Sequence, residues 1–161
     1  MPAGPRVLIE NAWYHLMVRG NQQQRVFFDE QDHRVCLCIL RKYKKRFKLQ
    51  LCGFCLMPNH IHLVAKPQKP RDLAKFMHDT LRAYTAYFNE RYGKVGHLWQ
   101  GRYKSKVIVE EGYLRDCIRY LELNPVRSQI VKEPAEYPWS SFRERMLMKK
   151  ITVGLLDEIS F

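Results

Sequence analysis

Two histidines separated by one residue, His60 and His62, lie in the run Pro58-Asn59-His60-Ile61-His62-Leu63-Val64. On an extended chain both imidazoles project from one side, about 6.6 Å apart along the strand, while Ile61 and Leu63 project from the other. Two rings so placed can converge on one cation, and the same spacing equally describes two polar residues on a solvated sheet face. Farther along, Tyr120 and Asn124 are four residues apart, with Tyr113 and Arg127 each seven residues from Tyr120. If the segment is helical, these four share a stripe of tyrosines, an amide and a guanidinium, which makes a poor core and a useful reactive surface. Two plainer readings stand beside that one: Tyr120 packs on a sheet next to Leu121 and Leu123, and Asn124 is a helix-end residue displaced by Pro125. A third group interleaves cations with rings in Gly96-His97-Leu98-Trp99-Gln100-Gly101-Arg102-Tyr103-Lys104-Ser105-Lys106. Cations neutralise phosphates and rings stack on unpaired bases at about 1–3 kcal/mol each, which suits single-stranded nucleic acid; a solvated loop and edge strand with one anchoring Trp fits the pattern too.

The remaining chemistry-bearing residues carry weaker signals. His15 falls on the first strand and serves there either as a neighbour of a metal or phosphate or as a half-buried, hydrogen-bonded ring; His97 falls in a loop. The basic run Arg41-Lys42-Tyr43-Lys44-Lys45-Arg46 is what the carboxyl end of a helix favours in any case. Five cysteines, Cys36, Cys38, Cys52, Cys55 and Cys117, are odd in number and embedded in apolar stretches, so reduced buried thiols are expected. Cys52 and Cys55 have the spacing of half a zinc site, with no second pair to complete it.

Positioning these groups requires a fold, and the length allows one. The 161 residues make a single domain. A net charge of +12 and a pI near 9.7 point to a polyanionic partner. Apolar residues at 46% and charged ones at 27% exclude disordered and collagen-like classes. No apolar run reaches the ~20 residues that span a bilayer, and Met1-Pro2-Ala3-Gly4-Pro5-Arg6 lacks the apolar core of a signal peptide, so a cytoplasmic protein is expected.

Patterning predicts a strand over Trp13 to Arg19 closed by Gly20-Asn21, and a helix from Asp29 to about Arg46 with an acidic start and a basic end. Strands follow over Leu49 to Leu56 and Ile61 to Lys66, joined tightly through Met57-Pro58-Asn59 as an antiparallel pair. A helix capped by Asp72 runs to Gly93, a strand covers Lys104 to Val109, and a third helix covers Gly112 to about Asn124, halted by Pro125. The order β-α-β-β-α-β defines an α+β, ferredoxin-like split βαβ core with an antiparallel sheet and an appended helix. That fold hosts many unrelated chemistries and fixes none of them.

Taken together, Tyr14-His15…Arg19-Gly20-Asn21, Met57-Pro58-Asn59-His60-Ile61-His62-Leu63, Gln100-Gly101-Arg102-Tyr103-Lys104, Tyr113-Leu114…Arg119-Tyr120-Leu121-Glu122-Leu123-Asn124-Pro125-Val126-Arg127 and Tyr137-Pro138-Trp139-Ser140-Ser141 resemble the single-tyrosine HUH transposases, in particular the REP-associated tyrosine transposase branch. The resemblance runs from about residue 8 to 143, and residues 144–161 match no motif of the family. It implies a bacterial enzyme, acting in the cytoplasm on nucleoid DNA as a monomer or homodimer. Its partner would be single-stranded DNA carrying a hairpin, from REP-like or insertion-end repeats. Carried over residue by residue, His60 and His62 are the metal-binding histidines, Asn124 completes the metal shell, and Tyr120, on the appended helix, is the nucleophile, with Tyr113 as its competitor. The metal implied is Mg²⁺ or Mn²⁺, and the product a 5′-phosphotyrosine with a free 3′-hydroxyl. Arg19, Asn21, Trp99, Gln100, Arg102, Tyr103, Lys104, Lys106 and Arg127 are the expected nucleic-acid contacts. Two other functions use the same surface: a domesticated hairpin-binding protein without cleavage, and a metal-dependent hydrolase in which water attacks and Tyr120 is structural.

Overall fold

A computed structural model describes Arg6, residues 8–147, residues 155–157 and Ile159. Its elements are β1 (Trp13–Arg19), a 3-10 turn (Asn21–Gln23), α1 (Glu30–Arg46), β2 (Gln50–Met57), β3 (His60–Lys66), α2 (Asp72–Tyr92), β4 (Lys104–Ile108), α3 (Glu111–Glu122), α4 (Asn124–Arg127), a second 3-10 turn (Pro134–Glu136) and α5 (Phe142–Leu147). The four strands form one antiparallel sheet in the order β2-β3-β1-β4, the split βαβ arrangement expected from the sequence.

Side-chain alternation assigns the two faces of the sheet. Tyr14, Leu16 and Val18 of β1 and Ile61, Leu63 and Ala65 of β3 are buried, on the face covered by α1 and α2, which pack on each other. Their partners in the alternation, Trp13, His15, Met17 and Arg19, are only half-buried, because α3 covers the second face mainly over β2 and β3. The uncovered part of that face lies over β1 and β4, so chemistry presented by these strands stays reachable.

Local sequence explains the helices. Asp29 caps α1 by accepting from Asp32 N–H, and Asp32, itself buried, accepts from the Tyr87 and Tyr92 hydroxyls and from the Arg91 guanidinium at 2.5–2.7 Å, clasping α1 to the end of α2. Helix α2 ends as expected at Gly93, in the left-handed conformation with φ 62°. It begins differently: Arg71 occupies the cap position with no side-chain bond and Asp72 is the first helical residue, so Asp72 acts on the amino-terminal dipole instead of capping it.

Two devices fix the carboxyl end of α3. A Cβ on Gly53 of β2 would meet Ile118 at 3.5 Å and Leu121 at 3.6 Å, so the missing side chain lets the helix lie directly on the strand. The segment Tyr137-Pro138-Trp139-Ser140-Ser141 covers the outer edge of β2, with Leu56 N–H donating to Trp139 O and Ser141 N–H to Phe54 O. Ser141 Oγ then donates to Glu122 Oε1 at 2.6 Å and Arg145 Nε to the same oxygen at 3.0 Å, tying the last residue of α3 to the strand it covers. Part of the tail after residue 143 is docked as well: Asp157 exchanges hydrogen bonds with Leu51 and pairs with Lys44 at 2.7 Å. Met1–Pro5 and most of residues 148–161 lie outside the described residues. Among those described, no helix is long and apolar enough to cross a membrane.

Gly53→Ala places a methyl at ordinary contact distance and should change stability by less than about 1 kcal/mol, whereas Gly53→Leu must push α3 off the sheet at a cost of about 1–3 kcal/mol. Urea denaturation of both variants checks this; equal stabilities would show that α3 is not seated on Gly53.

Candidate active site

Strand β3 presents His60 and His62 on the α3 side of the sheet, paired across β1 with Arg19 and Met17. Their ring centroids are 4.8 Å apart in an edge arrangement. His62 is buried and His60 half-buried. Asn124 brings its amide to this pair, with Nδ2 3.3 Å from His60 Nε2, and Tyr120 stands edge-on to His62 at a centroid distance of 6.3 Å. The two histidines, the amide and the phenol thus meet at one place, 58 to 64 residues apart in sequence.

Helix geometry there differs in one respect from the periodic reading. Tyr120 and Asn124 do not share an uninterrupted helix: α3 ends at Glu122, and Asn124 opens the four-residue α4, with Pro125 in its first turn. Proline has no N–H for the α3 ladder and crowds the preceding turn, so the chain restarts there. Leu123 keeps near-helical dihedrals of φ −89° and ψ −6°, and that preserves the one-turn offset between phenol and amide. Tyr113 lies two turns earlier on α3, about 10 Å along the axis, and is exposed; of the two tyrosines, it is Tyr120 whose ring meets His62.

Arg127 stacks on Tyr120, its guanidinium carbon 3.9 Å from the ring centroid, and donates to the Tyr120 carbonyl oxygen. Tyr120 nonetheless remains 52% exposed. Asn59, in the turn before β3, lies with Oδ1 2.7 Å from His60 Nδ1, and His15 Nε2 lies 2.9 Å from His62 Nδ1. Asn59 carries no role that its residue type alone would announce. The only signal was its position immediately before the histidine pair; His15 needed the register of β1 against β3.

Cations gather on the same face. Lys104 and Lys106 of β4 pair with Met17 and His15, so their side chains emerge beside the histidines together with Arg19. Burial and, second, the Arg19 charge push the His60 imidazole down to about 4; burial, His60, His15, Arg127 and Arg19 push His62 down to about 3. Burial and then Lys106 lower His15 as well. The rings are therefore neutral near pH 7, the form in which imidazole binds metal.

The other expected contacts are placed elsewhere or otherwise. Trp99 is 9% exposed, tilted against Tyr84, with its indole N–H donating to Leu81 O; its ring is packed as an anchor, not presented for stacking. Trp99, Arg102, Tyr103 and His97 line an open groove against α2, and Arg6 stacks on the Tyr103 ring at 3.6 Å. Gln100 and Asn21 hold this loop to the end of β1 through backbone bonds, Gln100 N–H to Arg19 O and Asn21 N–H to Leu98 O. Cys52 and Cys55 are free, buried thiols, Cys52 pushed up to about 12 by burial.

Two imidazole nitrogens and one amide oxygen make a borderline donor set, able to hold a divalent ion while leaving positions open. Among the described residues no group of three or more His, Cys, Asp or Glu is arranged for a metal, so the amide of Asn124 would supply the third protein donor, its oxygen reached by turning the carboxamide. Two neutral imidazoles and one amide oxygen leave positions for water and phosphate oxygens.

The sequence profile of the IS200-like transposases matches residues 8–124. The chain belongs to that family. Among solved structures, it is similar to a REP-associated tyrosine transposase bound to a REP hairpin, with a TM-score of 0.77 and 16% identity over 100% of this chain and 94% of that one. It is also similar to a candidate transposase from Deinococcus radiodurans R1, with a TM-score of 0.50 and 22% identity over 76% of this chain and 96% of that one. At these identities the likeness establishes the fold. No curated protein matches at a significant level.

Because burial favours neutral imidazoles, protons bind the unfolded chain more readily. Stability should be fully present above about pH 6.5, the ordinary histidine value, and should fall with pH through the folded values of about 4 and about 3. Histidine ring shifts followed by NMR in the metal-free protein should place both midpoints below pH 5. Midpoints near 6.5 would show that water reaches the rings freely.

Proposed function

We propose that the chain is a single-domain, metal-dependent endonuclease and strand transferase that acts on single-stranded DNA at hairpins through a tyrosine nucleophile. One observation carries this reading: His60 and His62 of β3 converge with the exposed Tyr120 of α3 and with Asn124 of α4, beside the cations of β1 and β4. Family membership and the hairpin bound to the structural relative support the DNA substrate.

His60, His62 and Asn124 would hold a Mg²⁺ or Mn²⁺ ion, which when bound supplies charge that polarises the scissile phosphate. Arg19, Lys104 and Lys106 hold neighbouring phosphates along the sheet, drawing the strand across the histidines. Arg127 fixes the Tyr120 ring through its stacking and carbonyl contacts, so the phenol oxygen is held for in-line attack. Tyr120 Oη bonds to phosphorus, the phenolic proton leaves, and the P–O3′ bond breaks. The products are a 5′-phosphotyrosine and a 3′-hydroxyl that takes up a proton. Because the phosphoester bond is conserved, another 3′-hydroxyl can attack the phosphotyrosine and rejoin DNA without a nucleotide cofactor.

Labelled hairpin-bearing oligonucleotides from the repeats flanking the source gene, incubated with Mn²⁺ and resolved on denaturing gels, test the proposal. Wild-type protein should give a slow-migrating covalent band, Tyr120→Phe should lose it by on the order of a thousandfold or more, and Tyr113→Phe should stay within about threefold of wild type. Cleavage that survives Tyr120→Phe without protein-linked DNA would make water the nucleophile, and tight binding without cleavage would make the protein a binding module.

A further inference from the structure

The two histidines of the site each have a polar partner on Nδ1, and the partners differ. Asn59 Nδ2 donates to the Gln23 carbonyl at 3.3 Å, which turns the amide oxygen toward His60 Nδ1 at 2.7 Å. An amide oxygen only accepts, so His60 Nδ1 carries the proton and Nε2 keeps its lone pair, the atom beside Asn124. Among the described residues, no carbonyl takes that place for His62. Its Nδ1 faces His15 Nε2 at 2.9 Å, with the ring centroids 5.1 Å apart and the planes within 20°, so the two rings lie edge to edge. A hydrogen bond between two neutral imidazoles needs one protonated and one bare nitrogen, so the tautomers of the two rings are locked to each other.

We propose that His15 is a positioning residue that accepts the Nδ1 proton of His62 and thereby fixes the tautomer with a bare Nε2, so that both histidines of β3 present the same nitrogen to one ion. The inference rests on the metal site proposed above. It gives His15 the place that a carbonyl or carboxylate takes behind many metal-bound histidines. A neutral acceptor has an advantage here, since a carboxylate would cancel part of the positive charge that the site offers to phosphate. The antiparallel register makes the contact possible: His15 pairs with Val64 and Met17 with His62, so His15 reaches His62 diagonally across the strands. Lys106, the partner of His15 on β4, closes its other side.

The test uses the full chain without DNA. Mn²⁺ dissociation constants by EPR are compared for wild type, His15→Phe, His15→Gln and His62→Ala, and the His62 tautomer is read from long-range ¹H–¹⁵N spectra of the metal-free protein. Phenylalanine keeps a flat ring in that place and removes the acceptor; glutamine keeps an acceptor oxygen. His15→Phe should weaken Mn²⁺ by about 10–100-fold and His15→Gln by less than about threefold, with the His62 proton on Nδ1 in wild type and His15→Gln. Wild-type affinity in His15→Phe, equal losses in both His15 variants, or a proton on Nε2 of His62 in the wild type would each overturn the inference. Wild-type affinity in His62→Ala would overturn the metal site itself, and the role of His15 with it. Unchanged thermal melting of His15→Phe separates a positioning role from a folding one.

Discussion

A helix can bring its side chains against a sheet only as closely as the residues between them allow, and at Gly53 nothing stands between. Ile118 and Leu121 settle onto that bare stretch of β2, and Glu122 is held by Ser141 and Arg145. The end of α3 is therefore fixed on both flanks of the turn that carries Tyr120. Pro125 then breaks the ladder without turning the chain away, leaving Asn124 one turn on and beside His60. Everything the site can do depends on this seating, because the histidines belong to a strand whose position is set independently by its pairing with β1 and β2.

The charge distribution serves two ends at once. Burial and the surrounding arginines keep His60 and His62 unprotonated, which prepares them to donate lone pairs. The same cations, with Lys104 and Lys106 on the adjoining strand, favour a polyanion across the face where those lone pairs point. The net charge of +12 is thus concentrated in part where a phosphate backbone would have to lie. Tyr120, half-exposed and gripped by Arg127, faces that same surface.

Local patterning made most of the fold legible. Alternation on β1 and β3, the acidic and basic ends of α1, Gly93 as a stop and the tight Pro58-Asn59 turn all act within a few residues, and the element order followed from them. The histidine pair was legible for the same reason, since period two alone puts both rings on one face. What escaped depends on distance along the chain. The placement of His15 against His62 requires the β1–β3 register, and the use of Trp139 to Ser141 as a cover for the edge of β2 requires knowing which strand is outermost. Trp99 shows the limit of composition: a ring among cations suggests stacking on bases, yet its place under α2 is decided by packing on Tyr84. Tyr120 and Tyr113 were distinguishable by the amide one turn on, and the contact of Tyr120 with His62 rests on tertiary geometry that no helical period contains.

As proposed, His60, His62 and Asn124 form one metal site within reach of Tyr120. Crystals of the full chain soaked in Mn²⁺, with anomalous scattering recorded at the manganese edge, test it most directly. A single strong peak is expected at bonding distance from Nε2 of both histidines and from Oδ1 of Asn124, on the side facing Tyr120. A peak elsewhere, or one bound to His15 in place of His60 or His62, would contradict it.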